Sequence, residues 1–231
     1  RLNRAKALFL TEEIKIKEAA RQTGYENEHY FSRKFKQTFG MAPSHYHPDQ
    51  IQNVISLSYP YTDHLLMLGA APVAGQLQDS FDSRIKELTL PYHASDPWDI
   101  QRQFFLEKKP DVILCKNNMA AAAKKQVGDI APVVSIDWTS MDVYGHAAAI
   151  ARLLGFPLVR MDLSTLLEST RGTSEQNLRE VLHTMETIAP SVLWLEEIDK
   201  AFAGFDTEAA TDATITRIVG RFLTWLQEHT A

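Results

Sequence analysis

The sequence predicts an α+β protein in which an all-α N-terminal segment precedes α/β segments with parallel sheets. Residues 1–46 have helical patterning and contain no proline before Pro43. From Ile51 onward, short β-rich runs alternate with helical stretches, which is typical of parallel strands joined by crossover helices. Charge is uneven as well: nine Lys/Arg accompany six Asp/Glu over residues 1–49, although the whole chain carries −5. A basic N-terminus beside acidic segments predicts nucleic-acid contact there.

Composition places the 231-residue chain among soluble globular proteins, since 45% of residues are hydrophobic and 23% are charged. Apolar runs stay well below the roughly 18 to 20 residues that a bilayer span needs. The sequence lacks a signal-peptide pattern, so we expect a cytoplasmic protein without membrane contact. Cys115 is the single cysteine, which excludes an internal disulfide and a thiolate metal cage. We expect it to be a small buried residue at a strand end.

Capping and breaking signals divide the N-terminal segment into three helices. A first helix is predicted from about Leu2 to Leu10, and a second from Thr11 to Arg21. The tripeptide "TGY" breaks the second helix, and Asn27 caps a third that Gly40 ends. This arrangement is a helix-turn-helix in outline.

The third helix has two chemically different sides. At 100° per residue, Phe31, Phe35 and Phe39 fall on one stripe, and the opposite side carries His29, Arg33, Lys36 and Gln37. The aromatic stripe is expected to anchor the helix in a small core. The other side fits a major groove, with Arg33 on guanine and Lys34 and Lys36 on phosphates. Taken alone, a basic amphipathic helix is more often a plain solvated face.

A longer motif favours the DNA-reading interpretation. The stretch "IKEAARQTGYENEHYFSRKFKQTFGMAPSHY" resembles the second helix-turn-helix of AraC-family transcription regulators. The resemblance covers about 46 residues and implies sequence-specific DNA binding, with base contacts from Glu28, His29, Ser32 and Arg33. Ala19 and His47 depart from the family pattern. That family uses two such units, and this chain has the last one, so weak binding is expected.

The middle segment has four predicted strands, whose carboxyl ends should share one edge of a Rossmann-like parallel sheet. Ligands of open α/β sheets bind at that edge. The candidate ligand-binding residues there are Tyr59, Tyr61, Lys116, Asn117 and Trp138. Aromatic rings, a lysine and an amide could hold a flat anion by stacking and charge pairing. Polar residues at strand ends can also simply close loops, and both interpretations stay open.

Two stretches suggest what the anion would be. "VISLSYPYTDHLLMLGAAPVAG" and "FFLEKKPDVILC" look like the N-terminal lobe of siderophore-binding proteins of the periplasmic type. The resemblance implies a ferric siderophore as effector, with a trianionic tris-catecholate placed near Lys116 and near Lys124 or Lys125. The second lobe, expected after "DVYGH", does not follow, so the segment reads as a remnant sensing lobe.

The C-terminal segment carries "SVLWLEEIDKAFAG", which has the form of a Walker B strand. With "GFPLVRMDLSTL" and "GTSEQNLREVL" it resembles the core of AAA-type ATPases. The resemblance implies Glu196 as a candidate metal ligand and Glu197 as the candidate catalytic glutamate, which polarises the attacking water. None of the ten glycines precedes a lysine, so the phosphate-binding P-loop is missing. We therefore expect no bound ATP or Mg²⁺ and no enzymatic activity.

These readings predict three domains at residues 1–48, 49–145 and 146–231. The first hypothesis is an AraC-type DNA-binding regulator, with DNA and an iron chelate as partners. The second is an inactive AAA ATPase fragment. The third is a non-functional chimera, engineered or mis-assembled, in which strands of the middle and last segments share one sheet.

Overall fold

The computed structural model describes residues 1–48, 51–77, 101–162, 173–196 and 213–229. The chain divides into two compact units, residues 1–155 and 156–231. Helices come first, and parallel strands with intervening helices follow, so the predicted α+β class is confirmed.

Three helices open the first unit: α1 (Leu2–Thr11), α2 (Ile16–Gln22) and α3 (Glu28–Phe39). Asn27 caps α3, because its side-chain oxygen accepts the N–H of Tyr30 at 2.9 Å. Gly40 ends α3 with φ of 79°, a left-handed conformation that glycine adopts without steric cost.

The predicted start of the second helix at Thr11 is wrong. Thr11 is the last residue of α1, and its hydroxyl donates to the carbonyl of Ala7 at 2.9 Å. α2 begins only at Ile16. A threonine hydroxyl can cap the next helix or bond back to the carbonyl four residues earlier, and here it does the latter.

Aromatic side chains hold α1 and α3 together. Phe31 and Phe35 are fully buried, as the stripe predicted. Phe9 of α1 contacts both, with ring centroids 6.5 Å from Phe31 and 6.0 Å from Phe35. Phe39 completes the stripe at 4.7 Å from Phe35. Such ring pairs each add about 0.5–1.5 kcal/mol beyond their buried area, so the pose of α3 is well fixed.

The rest of the first unit is a four-stranded parallel sheet in the order β2-β1-β3-β4. Its strands are β1 (Val54–Ser56), β2 (Ala74–Gly75), β3 (Val112–Lys116) and β4 (Val133–Ile136). In the described residues its α-helices are α4 (Tyr59–Met67), α5 (Arg102–Lys108), α6 (Ala120–Val127) and α7 (Val143–Leu153).

The core of this sheet includes Ile55, Phe105, Ile113 and Cys115, all fully buried. Burial raises the pKa of the Cys115 thiol to about 12, so the thiolate is scarce at neutral pH. Helix α1 packs against the edge strand β4. The side-chain amide of Asn3 donates to the carbonyls of Gly128 and Asp129, at 3.2 and 2.8 Å.

The second unit pairs β5 (Leu158–Asp162) with β6 (Val192–Glu196) in parallel and adds α8 (Thr173–Thr187) and α9 (Ala213–His229). Its core includes Met161, Leu178, Leu182, Ile218 and Phe222. In the described residues, β5 and β6 form a sheet separate from the four-stranded one. The expectation of one shared sheet is therefore wrong.

Candidate DNA-reading helix and sheet-edge site

The basic side of α3 projects from the core as a surface that can contact another molecule. His29, Arg33, Lys34 and Lys36 are exposed, and Phe31 on the opposite side is not. The Arg33 guanidinium lies 5.9 Å from the ring centroid of Tyr30. A guanidinium that lies beside a ring still has N–H donors available to a further acceptor. α3 thus presents cations while its rings are packed inside.

The other two predicted contact residues are less accessible. Glu28 and Ser32 are half-buried, which restricts how far their side chains can extend toward DNA. Tyr30, by contrast, is 46% exposed and was not among the predicted contacts. Its position gave the signal, since it lies 100° around the helix from Phe31 and is turned away from the core.

Lys6 of α1 packs against the C-terminal end of α3. Its ammonium lies 4.6 Å from the ring centroid of Phe39 and 4.8 Å from that of Tyr46. Burial lowers the pKa of Lys6, and the carboxylate of Asp111 acts in the opposite direction. The Asp111 carboxylate also accepts the backbone N–H of Asn53 at 2.9 Å. This cluster joins the helical segment to the start of the sheet.

A second cluster lies at the carboxyl edge of the four-stranded sheet. The Lys116 ammonium is 3.9 Å from the ring centroid of Trp138 and 5.5 Å from that of Tyr59. Partial burial lowers the pKa of Lys116. Trp138 and Tyr59 are 38% and 40% exposed, so both rings also face solvent. The structure therefore brings together three predicted ligand-binding residues, which we call the sheet-edge cluster.

Asn117 lies beside this cluster, but its amide is already engaged. Its Nδ2 donates to the carboxylate of Asp137 at 2.8 Å. The same carboxylate accepts the backbone N–H and the hydroxyl of Thr139, at 2.9 and 2.7 Å. These hydrogen bonds from Thr139, the backbone one first, lower the pKa of Asp137. A carboxylate next to Lys116 limits how much negative charge the cluster can accept.

Tyr61 cannot contact a ligand, because it is fully buried. Its hydroxyl donates to the carbonyl of Ile136 at 3.1 Å, and burial raises its pKa. Lys124 does not join Lys116 either. It lines a separate cavity of about 720 Å³ beside α1, together with Arg1 and Arg4. Lys125, the neighbouring residue on α6, is exposed.

Two buried histidines, which the sequence reasoning missed, lie behind the sheet-edge cluster. His146 of α7 stacks on Trp138, with centroids 4.8 Å apart and planes 7° from parallel. The ring centroid of His64, on α4, lies 6.3 Å from that of His146. The signal was available, since each histidine sits within an apolar helical run, "TDHLLML" and "GHAAAIA", and such runs predict burial.

In the second unit, Glu196 ends β6 and is paired with Arg160 of the neighbouring strand. Its carboxylate is therefore engaged by a cation. Glu197 lies outside the described residues. Across the described ranges, no group of three or more His, Cys, Asp or Glu side chains is placed to hold a metal ion. Nor is any helix there long and apolar enough to cross a membrane.

Two segments of the chain match family models. Residues 1–48 match the family model of a helix-turn-helix domain. Residues 146–231 match that of the ATPase family associated with various cellular activities (AAA). Both resemblances inferred from the motifs are thus confirmed.

Curated relatives fall into the same two groups. The uncharacterized AAA domain-containing protein ycf46 is 40% identical over 85 residues in Pyropia yezoensis and 39% over 84 residues in Guillardia theta. These matches cover 37% and 36% of this chain, and 17% and 16% of the relatives, so the chain spans about a sixth of their length.

The HTH-type transcriptional activator Btr of Bacillus subtilis is 28% identical over 142 residues, 58% of this chain and 27% of that protein. A match of that length necessarily includes part of residues 49–145, because neither flanking segment is long enough to contain it.

One solved structure, Staphylococcus aureus SirA complexed with staphyloferrin B, has a TM-score of 0.38 and 12% identity, covering 77% of this chain and 78% of that one. A similarity this low supports no conclusion about fold or ligand.

The two family matches show that the chain is composite in sequence. Residues 1–48 are similar to helix-turn-helix proteins, and residues 146–231 are similar to AAA proteins.

Proposed function

We propose that the protein is a sequence-specific, double-stranded DNA-binding transcription regulator of AraC type whose α3 enters the major groove. The proposal depends on the two different sides of α3. Phe31 and Phe35 are fully buried, whereas Arg33 and Lys36 are exposed. Similarity to a helix-turn-helix family and to the activator Btr supports the proposal. The recognition helix of such a motif uses its first turns to reach base edges.

Residue roles follow from position and chemistry. Arg33 pairs with a guanine through its two parallel N–H donors, and His29 contacts a neighbouring base. Lys34 and Lys36 meet phosphates, which sets affinity and salt dependence rather than sequence preference. Glu28 and Ser32, being half-buried, line the rim of the contact.

The test is selection of binding sequences from a random duplex pool, followed by fluorescence anisotropy on the selected duplex. Arg33→Ala should weaken binding by about 1–3 kcal/mol and relax preference at one base pair. Lys125→Ala, which removes the same charge from an exposed position on α6, serves as the control and should change little. Equal losses in both variants would contradict the proposed role of Arg33.

Binding measured at a series of salt concentrations separates base-specific recognition from electrostatic attraction to phosphates. Each phosphate contact contributes about 0.9 to the slope of log affinity against log salt concentration, so Lys36→Ala should lower the slope by about one. The slope should stay unchanged in Lys125→Ala. A pool that yields no preferred sequence at any salt concentration would rule out sequence-specific binding.

We propose, as a second function, that the sheet-edge cluster binds an aromatic organic anion of the ferric catecholate class as effector. The specific observation is Lys116, held 3.9 Å from Trp138 and 5.5 Å from Tyr59, with both rings partly exposed. An aryl anion can pair with the ammonium and stack on either ring. Asp137 and the separate position of Lys124 favour an anion of modest charge over a tightly held trianion.

Titration with a ferric bis-catecholate, which is a monoanion, followed by tryptophan fluorescence, tests this function. Lys116→Gln should reduce affinity at least about tenfold, because the charge-assisted contact is lost. Lys125→Gln removes a charge outside the cluster and should leave affinity unchanged. A chelate that binds both variants equally well would place its site elsewhere.

For the AAA-like segment we propose no ATP hydrolysis. The chain lacks a Gly-Lys P-loop, and Arg160 already engages the carboxylate of Glu196. Phosphate release from ATP, measured with and without Mg²⁺, should not exceed the buffer rate. Turnover that disappears in Glu197→Gln would overturn this expectation.

A further inference from the structure

The two buried histidines form a continuous set of rings with the sheet-edge cluster. The His146 imidazole lies flat against the Trp138 indole, and Lys116 contacts that same indole. Tyr61 approaches His146 edge-on at 5.7 Å, and His64 lies 6.3 Å from it. Any change in the charge of His146 therefore acts directly on the ring that forms the anion site.

Most of the hydrogen-bonding capacity of this histidine pair is unused. His64 and His146 are 5% and 3% exposed. Among the described residues, both nitrogens of His64 and Nδ1 of His146 have no hydrogen-bond partner. Nε2 of His146 lies 3.3 Å from the backbone oxygen of Asp137. Buried polar atoms without partners are uncommon and call for a functional or solvent explanation.

His64 and His146 have different polar and aromatic neighbours. Burial lowers the pKa of His64, and the neighbouring His146 lowers it further. His146 has the Asp137 carbonyl oxygen to accept an N–H and the face of Trp138 to attract a cation. Imidazole is the side chain that ordinarily changes charge between about pH 5 and 8.

Several other titratable groups come from the elements packed around this pair. Helix α4 contributes Tyr61 and Asp63, and burial raises the pKa of both. Asp142 caps α7 by accepting the N–H of Gly145 at 2.7 Å. Lys116 reaches the pair through Trp138, and Asp137 stays ionised through its bonds with Thr139. A proton on His146 adds positive charge next to the indole that Lys116 contacts.

We propose that His146 is a positioning residue whose protonation strengthens anion binding at the sheet-edge cluster. The neutral ring holds Trp138 in place; the protonated ring places a second positive charge against the indole that Lys116 already contacts. Anion affinity therefore rises as pH falls from about 8 toward 5. This inference rests on the proposed anion site and adds its regulation by pH.

The first measurement needs no ligand. A protonated imidazole in contact with indole quenches its fluorescence, so Trp138 emission should fall as pH is lowered. The quench should vanish in Trp138→Phe and in His146→Asn, and persist in His64→Asn. If wild-type emission stays constant between pH 8 and 5, the inference is overturned. This result does not depend on the folding of any variant. A quench retained in His146→Asn overturns it as well.

The second measurement uses naphthalene sulfonate, an aromatic monoanion whose charge does not change in this pH range. Its affinity should be at least about fivefold higher at pH 5.5 than at pH 8, the lower end of ordinary coupling between sites. The ratio should fall to about one in His146→Asn. His64→Asn, which removes the neighbouring imidazole and keeps His146, should retain it.

The outcomes separate this inference from the function on which it rests. Absence of anion binding at every pH overturns the site and the coupling together. Binding with equal affinity at both pH values, lost in Lys116→Gln, supports the site and overturns the coupling. Because Lys116→Gln leaves His146 against Trp138, that variant should still show the ligand-free quench.

Discussion

The two sheets show what a repeated strand pattern does and does not guarantee. β3 and β6 are both five-residue apolar parallel strands that end in charged residues. β3 has a strand on each side, and its first four residues are buried. In the described residues β6 has one neighbour, and all five of its residues are half-buried.

Their ends differ in the same way. Lys116 at the end of β3 contacts two partly exposed rings and has no carboxylate within ion-pair distance among the described residues. Glu196 at the end of β6 is paired with Arg160 on the adjacent strand. A charged strand end becomes a candidate site when its own sheet leaves the charge unneutralised. Three predictions test or sharpen this contrast.

The largest expected effect concerns core truncation. Ile113→Ala in β3 should lower the free energy of unfolding by about 2–5 kcal/mol, because Ile113 is fully buried and the lost methyl groups leave a cavity. Leu193→Ala in the half-buried β6 should cost clearly less. Urea unfolding followed by far-UV circular dichroism measures both. Equal losses would mean that the two strands are equally well packed.

A pH dependence should come from the first unit. The folded-state pKa of His64 is lowered, so below the ordinary histidine value the unfolded chain binds more protons than the folded one. The stability linked to neutral His64 is therefore present above about pH 6.5 and is lost as pH falls below it. His64→Asn should flatten the dependence of unfolding free energy on pH between 7 and 5.

His183 of α8 provides the matched control, because its side chain is 82% exposed. His183→Asn should leave that slope essentially unchanged. If the slope survives in His64→Asn and disappears in His183→Asn, the acid-sensitive element lies in the second unit instead.

The smallest expected effect is that of the ion pairs. Arg160→Ala and Arg102→Ala each break an arginine–carboxylate pair, with Glu196 and Asp129 respectively. All four side chains are substantially solvent-exposed, so each loss should be below about 1 kcal/mol. Thermal unfolding at low and high salt checks this, and a loss above about 2 kcal/mol for Arg160 alone would show that β5 and β6 depend on the pair.

Local chemistry made much of the N-terminal segment predictable. The Asn27 cap, the Gly40 terminus and the buried Phe31 and Phe35 all depend on residues within a few turns of one another. Thr11 was misread because a threonine hydroxyl can cap a following helix or bond back to the preceding turn, and the local sequence allows both.

The sheet-edge cluster was predicted in part. Tyr59, Lys116 and Trp138 meet because parallel strands align their carboxyl ends. Tyr61 was misplaced because α4 begins at Tyr59, and the first turn of this helix directs Tyr61 inward. The lysines of α6 were grouped with Lys116 by charge alone, and the fold places Lys124 beside α1.

By itself, the sequence determined the element types, the composite family content and the two-sided character of α3, because periodicity, caps and motifs are encoded in neighbouring residues. Only the tertiary structure decided that His146 stacks on Trp138 and that Arg160 engages Glu196. The physical reason is that such contacts join side chains from different elements. Their separation is set by how helices and strands pack, and spacing along the chain does not encode it.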